Sequence, residues 1–185
     1  MYVKYERIDK MEEFNTIEKV EGLFRNVGGL KNDNHFFLAY IDTKKDAMKY
    51  GILGGAAGAL GSAVVISSAA SATSGVVDGM NRKCDGYLIN YTECGLGMIP
   101  LDANGVMLSW NPSKLKADSN AYYFIENSNI ESIIVKNSSI FNSKVKSIKL
   151  TLIDNKSLNL VAKTQESSLP YHESNFAIFS EKYKK

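Results

Sequence analysis

Ser147-Ile-Lys-Leu-Thr-Leu-Ile-Asp-Asn-Lys-Ser-Leu-Asn-Leu-Val161 decides the fold class. Ile148, Leu150 and Leu152 alternate with Lys149 and Thr151, the period of two that sets one strand face in a core and the other in water. Asp154-Asn155-Lys156 interrupts with turn-forming residues, and Ser157 to Ala162 reads as a second strand, so the stretch is a β-hairpin. Val145 falls out of phase with Ile148, which predicts a register shift near Ser147.

The same texture extends outward in both directions. Strands are predicted at 86–91, 97–101, 106–110, 122–125, 130–136, 147–153 and 157–162, a run of short antiparallel strands that makes a small barrel or sandwich. Behind Pro170, Phe176, Phe179 and Tyr183 recur at helical spacing and predict an amphipathic terminal helix over 171–183. Upstream, His35-Phe-Phe-Leu-Ala-Tyr-Ile41 reads as a buried strand. Phe14, Ile17 and Val20, with Phe24 beyond, predict a short helix from Met11 to Leu23, stopped by Gly28-Gly29.

Strands followed by one closing helix resemble the bacterial pleckstrin-homology (PH) and GRAM-like domains. The resemblance rests on Tyr123-Phe-Ile-Glu-Asn-Ser-Asn-Ile-Glu-Ser-Ile-Ile-Val135 followed by the hairpin of 147–161, and it covers residues 84–185. It implies an α+β fold, a small antiparallel PH-like barrel capped by the terminal helix, and non-enzymatic binding of headgroups, peptides or partner proteins. Lipid-binding members carry basic residues between their first two strands, whereas Thr92-Glu93-Cys94-Gly95-Leu96-Gly97 has none. The chain thus divides into an N-terminal segment (1–46) with a strand near 35–41, a glycine-rich apolar helix or helical hairpin (47–80), and the PH-like β domain (84–185).

The glycine-rich segment is the most unusual feature. Residues 51–77 carry no charge and are flanked by Lys44, Lys45, Lys49, Arg82 and Lys83. That is long enough to cross a bilayer as a helix, although alanine, glycine and serine dominate it. At about 100° per residue, Gly51, Gly54, Gly55, Gly58, Gly61 and Ser62 fall on one helix face, with Leu53, Leu60 and Val64 opposite. Each glycine costs about 1 kcal/mol in a helix interior, so this face is unstable unless a neighbour packs closely on it. Gly51/Gly55 and Gly54/Gly58 have the Gly-x-x-x-Gly spacing that permits such approach, and the stretch resembles the glycine-zipper segments of membrane-inserting bacterial proteins. Three readings stay open: an intramolecular helical hairpin, self-association, and a segment that spans or re-enters a membrane.

The composition limits the chemistry. With 185 residues, 44% of them hydrophobic, the chain is sized for a single core, and a net charge of +2 singles out no nucleic-acid partner. The opening residues mix charges without an apolar run, which predicts no signal peptide and a cytoplasmic protein, membrane-associated if 51–77 inserts. Cys84 and Cys94 lack metal-ligand spacing and read as free thiols. His35 and His172 have no acid or nucleophile at motif spacing, and the glycines lack a phosphate-loop ending. No catalytic residue, metal or cofactor is therefore expected. The expected partners are further copies of the chain, a partner protein or a membrane. Lys136, Lys144, Lys146, Lys149 and Lys163, with Lys156 between them, face only Asp154 in sequence and form a candidate anion-facing patch, or simply a solvated strand face.

Overall fold

The computed structural model describes residues 11–42, 84–102, 111–118, 121–139 and 142–184. Nine strands form one antiparallel sheet: β1 (Met11–Glu12), β2 (His35–Ile41), β3 (Gly86–Thr92), β4 (Gly95–Asp102), β5 (Lys116–Asp118), β6 (Tyr123–Glu126), β7 (Ile130–Ser139), β8 (Asn142–Leu152) and β9 (Ser157–Lys163). Eight follow the order β1-β5-β4-β3-β2-β9-β8-β7, and β6 pairs with β4 beside β5. Two helices complete it among the described residues, α1 (Ile17–Asn26) and α2 (His172–Lys182).

The α+β class and the terminal helix expected from the sequence are present. The closed barrel is not: among the described residues the ladder is open, ending at β1 on one side and β7 on the other. The sheet also reaches N-terminally of the expected boundary at 84, because β2 lies between β3 and β9 near its middle. The predicted strand at 106–110 and the glycine face of Gly51, Gly54, Gly55, Gly58, Gly61 and Ser62 lie outside the described residues.

Both faces of the central strands are covered. Phe37 and Ala39 of β2, with Tyr87, Ile89 and Tyr91 of β3, enter one core together with Ile148, Leu150 and Leu152 and with Phe176 and Phe179 of α2. Phe36, Leu38 and Tyr40 enter a second core with Leu88, Ile99, Val145 and α1's Val20, Leu23 and Phe24. Double burial explains why β2 reads as an unbroken apolar run while β8 alternates. The slip expected near Ser147 is absent toward β9, where pairing runs without interruption from Val145↔Lys163 to Thr151↔Ser157, whereas toward β7 the register shifts just beyond Asn137↔Lys146. Val145 is out of phase because it belongs to the other core.

The first helix begins later than the periodicity predicted. Thr16 is its N-cap, its hydroxyl accepting the Lys19 N–H at 3.4 Å, and Phe14 packs ahead of the helix. The glycine stop stands as expected: Gly28 takes φ +70°, and the N–H groups of Gly28 and Gly29 return to Arg25 and Phe24. The turn at 154–156 is equally direct, with Asn155 at φ 64° and Leu152 N–H donating to Lys156 O.

Candidate functional site

Three places on the sheet collect groups that could act on something else. The first is where residues 43–83 join it. Tyr40 pairs with Gly86, and Ile41 N–H donates to Asp85 O at 3.1 Å. Asp42 N–H donates to Asn159 O at 3.1 Å, and Asp85 N–H to Leu101 O at 2.8 Å. The 43–83 segment therefore leaves and rejoins the sheet at adjacent positions in the middle of the ladder. Both attachment points are held by backbone bonds, to each other and to the strands on either side.

Cys84 sits at this base, and burial pushes its thiol up to about 11, so it is protonated and unreactive near neutral pH. Cys94 is exposed in the turn beyond the far end of β3, and both are free thiols. A strand of this length, about 23 Å at 3.3 Å per residue, separates them, far beyond disulfide reach.

The second place is a buried polar cluster between β2, β9 and the start of α2. Tyr40 OH donates to Glu166 Oε1 at 2.7 Å, and Lys163 Nζ lies 3.3 Å from the same carboxylate. Desolvation, reinforced by that carboxylate, holds the Tyr40 phenol well above the ordinary tyrosine range. Lys163 also stands over the Tyr40 ring, 5.7 Å from its centroid. His172 is fully buried; Leu38 N–H donates to its Nδ1 at 3.0 Å, and its Nε2 lies 2.7 Å from Lys163 O. With Nδ1 accepting, Nε2 carries the proton and donates. Both ring nitrogens are thus engaged with backbone, which suits a structural role and leaves neither available to a substrate. His35 is half-buried and stacked on Tyr91, with ring centroids 5.9 Å apart.

The third place is the lysine-rich part of β7–β9, which the register divides. Residues opposite each other across a ladder share a face. Val145 pairs with Lys163, Lys149 with Asn159 and with Ile134, and Lys136 with Ser147, which puts Lys136, Lys149 and Lys163 on one face. Lys146 pairs with Asn137 and Ala162 on the opposite face, which strand alternation gives to Lys144 as well. Lys163 serves Glu166, and Lys146 Nζ donates to Asn137 Oδ1 at 2.7 Å. The five lysines are not one anion-facing surface, because counting them along the sequence merges two sides of a sheet.

A cavity of about 180 Å³ opens between Glu13, Phe14, Pro112, Leu115, Lys116 and Leu169. Glu13 is bridged by Lys19 at 2.7 Å and Lys116 at 3.1 Å, whose hydrogen bonds lower its carboxyl to about 2. These charges satisfy one another at the rim. Among the described residues no three His, Cys, Asp or Glu side chains come together as a metal would require, and no helix is long and apolar enough to cross a membrane.

No protein-family model, curated protein or solved structure matches the chain.

Sequence reasoning missed Tyr40 and Glu166 as partners. They lie 126 positions apart, and Glu166 sits in a polar stretch, Thr164-Gln-Glu-Ser-Ser168, that carries no periodicity from which its inward direction could be read.

Proposed function

We propose that the protein is a non-enzymatic binding and assembly module, in which a PH-like sheet and its terminal helix hold out the 43–83 insertion as the element that engages a partner. The observation that carries this reading is the hydrogen bond from Ile41 N–H to Asp85 O, which seats both ends of the insertion at one point of the sheet. The β2–β3 ladder accommodates both ends of that segment without interruption. The glycine face of Gly51, Gly54, Gly55, Gly58, Gly61 and Ser62 supplies a surface suited to close backbone contact with a helix of another copy.

A membrane-inserting alternative is narrowed by the same geometry. Ends fixed side by side lie on one side of any bilayer, so the chain between them must cross an even number of times. Two helical crossings need about 40 apolar residues, and the uncharged stretch 51–77 is too short for that. Of the two membrane forms, spanning and re-entrant, this mounting favours a shallow, re-entrant hairpin. In either case the module acts in the cytoplasm or at the membrane face bordering it.

Sedimentation of the full chain beside a variant in which 43–83 is replaced by a two-residue hairpin turn tests this. The full chain is expected to self-associate and the shortened one to sediment as a folded monomer. Gly54→Leu with Gly58→Leu should reproduce the loss of self-association while leaving the sheet folded, because two bulky side chains overpack a close contact by about 1–3 kcal/mol. Resistance to carbonate extraction from membranes would favour the re-entrant alternative. A full chain that stays monomeric and membrane-free overturns both readings.

A further inference from the structure

The β2–β9 ladder stops early, and the imidazole of His172 continues it. Tyr40 pairs with Val161 and Ile41 with Leu160, and in that register the next residue of β2 whose backbone N–H and C=O are directed at β9, Leu38, stands opposite Lys163. Leu38 N–H and Lys163 O are therefore the donor and acceptor that a continuing ladder would join directly. They instead meet the two nitrogens of one ring, at 3.0 and 2.7 Å. One step further along, Phe36 O accepts from Asn175 Nδ2 at 3.2 Å. The first turns of α2 thus supply side-chain rungs to a strand edge that β9 has left.

We infer that His172 is a pH-sensitive latch, whose protonation opens the β2–β9 seam and frees the first turn of α2 from the sheet. A second proton has only Nδ1 to occupy, and there it faces the Leu38 N–H, so an acceptor becomes a donor opposed to a donor. Among the described residues the charged groups that act on the ring are Glu166, Lys163 and the exposed Glu173, and the buried Tyr171 beside it is bonded to Phe14 O. Glu166 and Lys163 lie on the β9 side, Glu173 follows on α2, and Tyr40 comes from β2, its hydroxyl bound to Glu166. The Phe176 ring stacks on the imidazole at 5.6 Å and closes the remaining side.

Desolvation, the largest influence, lowers the histidine below its ordinary 6.5, outweighing the Lys163 carbonyl and the two carboxylates that act the other way. The sign follows. With a folded-state value below that of the opened state, the opened state binds the proton first, so the latch is fully closed above about 6.5 and loosens as pH falls through the interval below it.

Amide hydrogen exchange of the full chain between pH 7.5 and pH 5 tests the latch. The protection factor of the Leu38 amide, corrected for intrinsic rate, is expected to fall by at least about tenfold, while that of Leu88, within the central strands, holds. Ring nitrogen shifts should show the Nε2–H tautomer at pH 7.5. His172→Gln keeps one acceptor and one donor and does not titrate, so it should retain Leu38 protection at pH 5. Equal behaviour of Leu38 and Leu88, or an imidazole titrating at an unshifted 6.5 in the folded chain, overturns the inference. So does acid loosening that persists in His172→Gln, which would assign the effect to Glu166 or Glu173. If His172→Gln does not fold, the exchange and ring titration of the unaltered chain decide alone.

Discussion

Phe179→Ala is expected to lower the unfolding free energy by about 3–5 kcal/mol, the range for emptying a buried aromatic site. Phe179 is 1% exposed, and its ring centroid lies 4.7 Å from that of Phe37, 5.1 Å from Tyr183 and 5.4 Å from Tyr91. It therefore binds α2 to both central strands. Three aromatic rings bordering the vacancy cannot all relax into it, so the upper part of the range is expected. Against a typical total of about 5–15 kcal/mol, the loss would bring the chain near the edge of folding at 37 °C. Urea unfolding monitored by the aromatic signal measures it, with a lower midpoint and an unchanged slope. Ile178→Ala, one position away at a side chain that is 48% exposed, is the control and should stay within about 0.5 kcal/mol. Equal effects at 178 and 179 would mean that α2 does not seal this core.

The stripe that makes this prediction was legible in the sequence because α2 has one buried face, and a single buried face leaves a helical period. β8 and β9 were legible for the related reason that β8 keeps Lys149 and Thr151 on a side away from the core that holds Leu150 and Leu152. Where both faces are buried the period vanishes. His35–Ile41 announces a strand but not which residues meet which core, and nothing in it says that it lies between β3 and β9. The N-terminal helix was displaced because Phe14 and Ile17 have helical spacing while Thr16 between them caps the chain, so an apolar repeat ran through a helix start. The lysines of 136–163 show the opposite failure: their number is plain in the sequence, their division between faces is a property of register. The seam cluster was the least legible, since Tyr40, Lys163, Glu166 and His172 are joined only by tertiary structure. The imidazole can serve as a rung only where two strands part, and that point is set by pairings more than a hundred positions apart.

Gly86→Ala is expected to destabilise the chain by about 1–3 kcal/mol, although alanine favours ordered backbone more than glycine does. Gly86 opens β3 at the base of the insertion, opposite Tyr40 on one side and Leu101 on the other. A Cβ there would lie 2.5 Å from Ala39 O and 3.1 Å from Tyr40 Cα. Both are backbone atoms in the middle of a paired strand, so no side-chain rotation makes room, and β2 and β3 must separate where the 43–83 segment is anchored. Gly22→Ala gives the opposite sign. Gly22 lies within α1, a Cβ there meets nothing within 4 Å, and the change should stabilise by about 0.5–1 kcal/mol through helix propensity. Thermal unfolding of the two variants separates a glycine kept for space from one that is replaceable. Because the clash falls on Ala39 O and Tyr40 Cα, directly beside the rung from Ile41 N–H to Asp85 O, that variant should also lose exchange protection at the Ile41 amide. If Gly86→Ala unfolds at the same temperature as the unaltered chain, β2 and β3 do not meet closely at Gly86 and Ala39, and the insertion is not held at a single point.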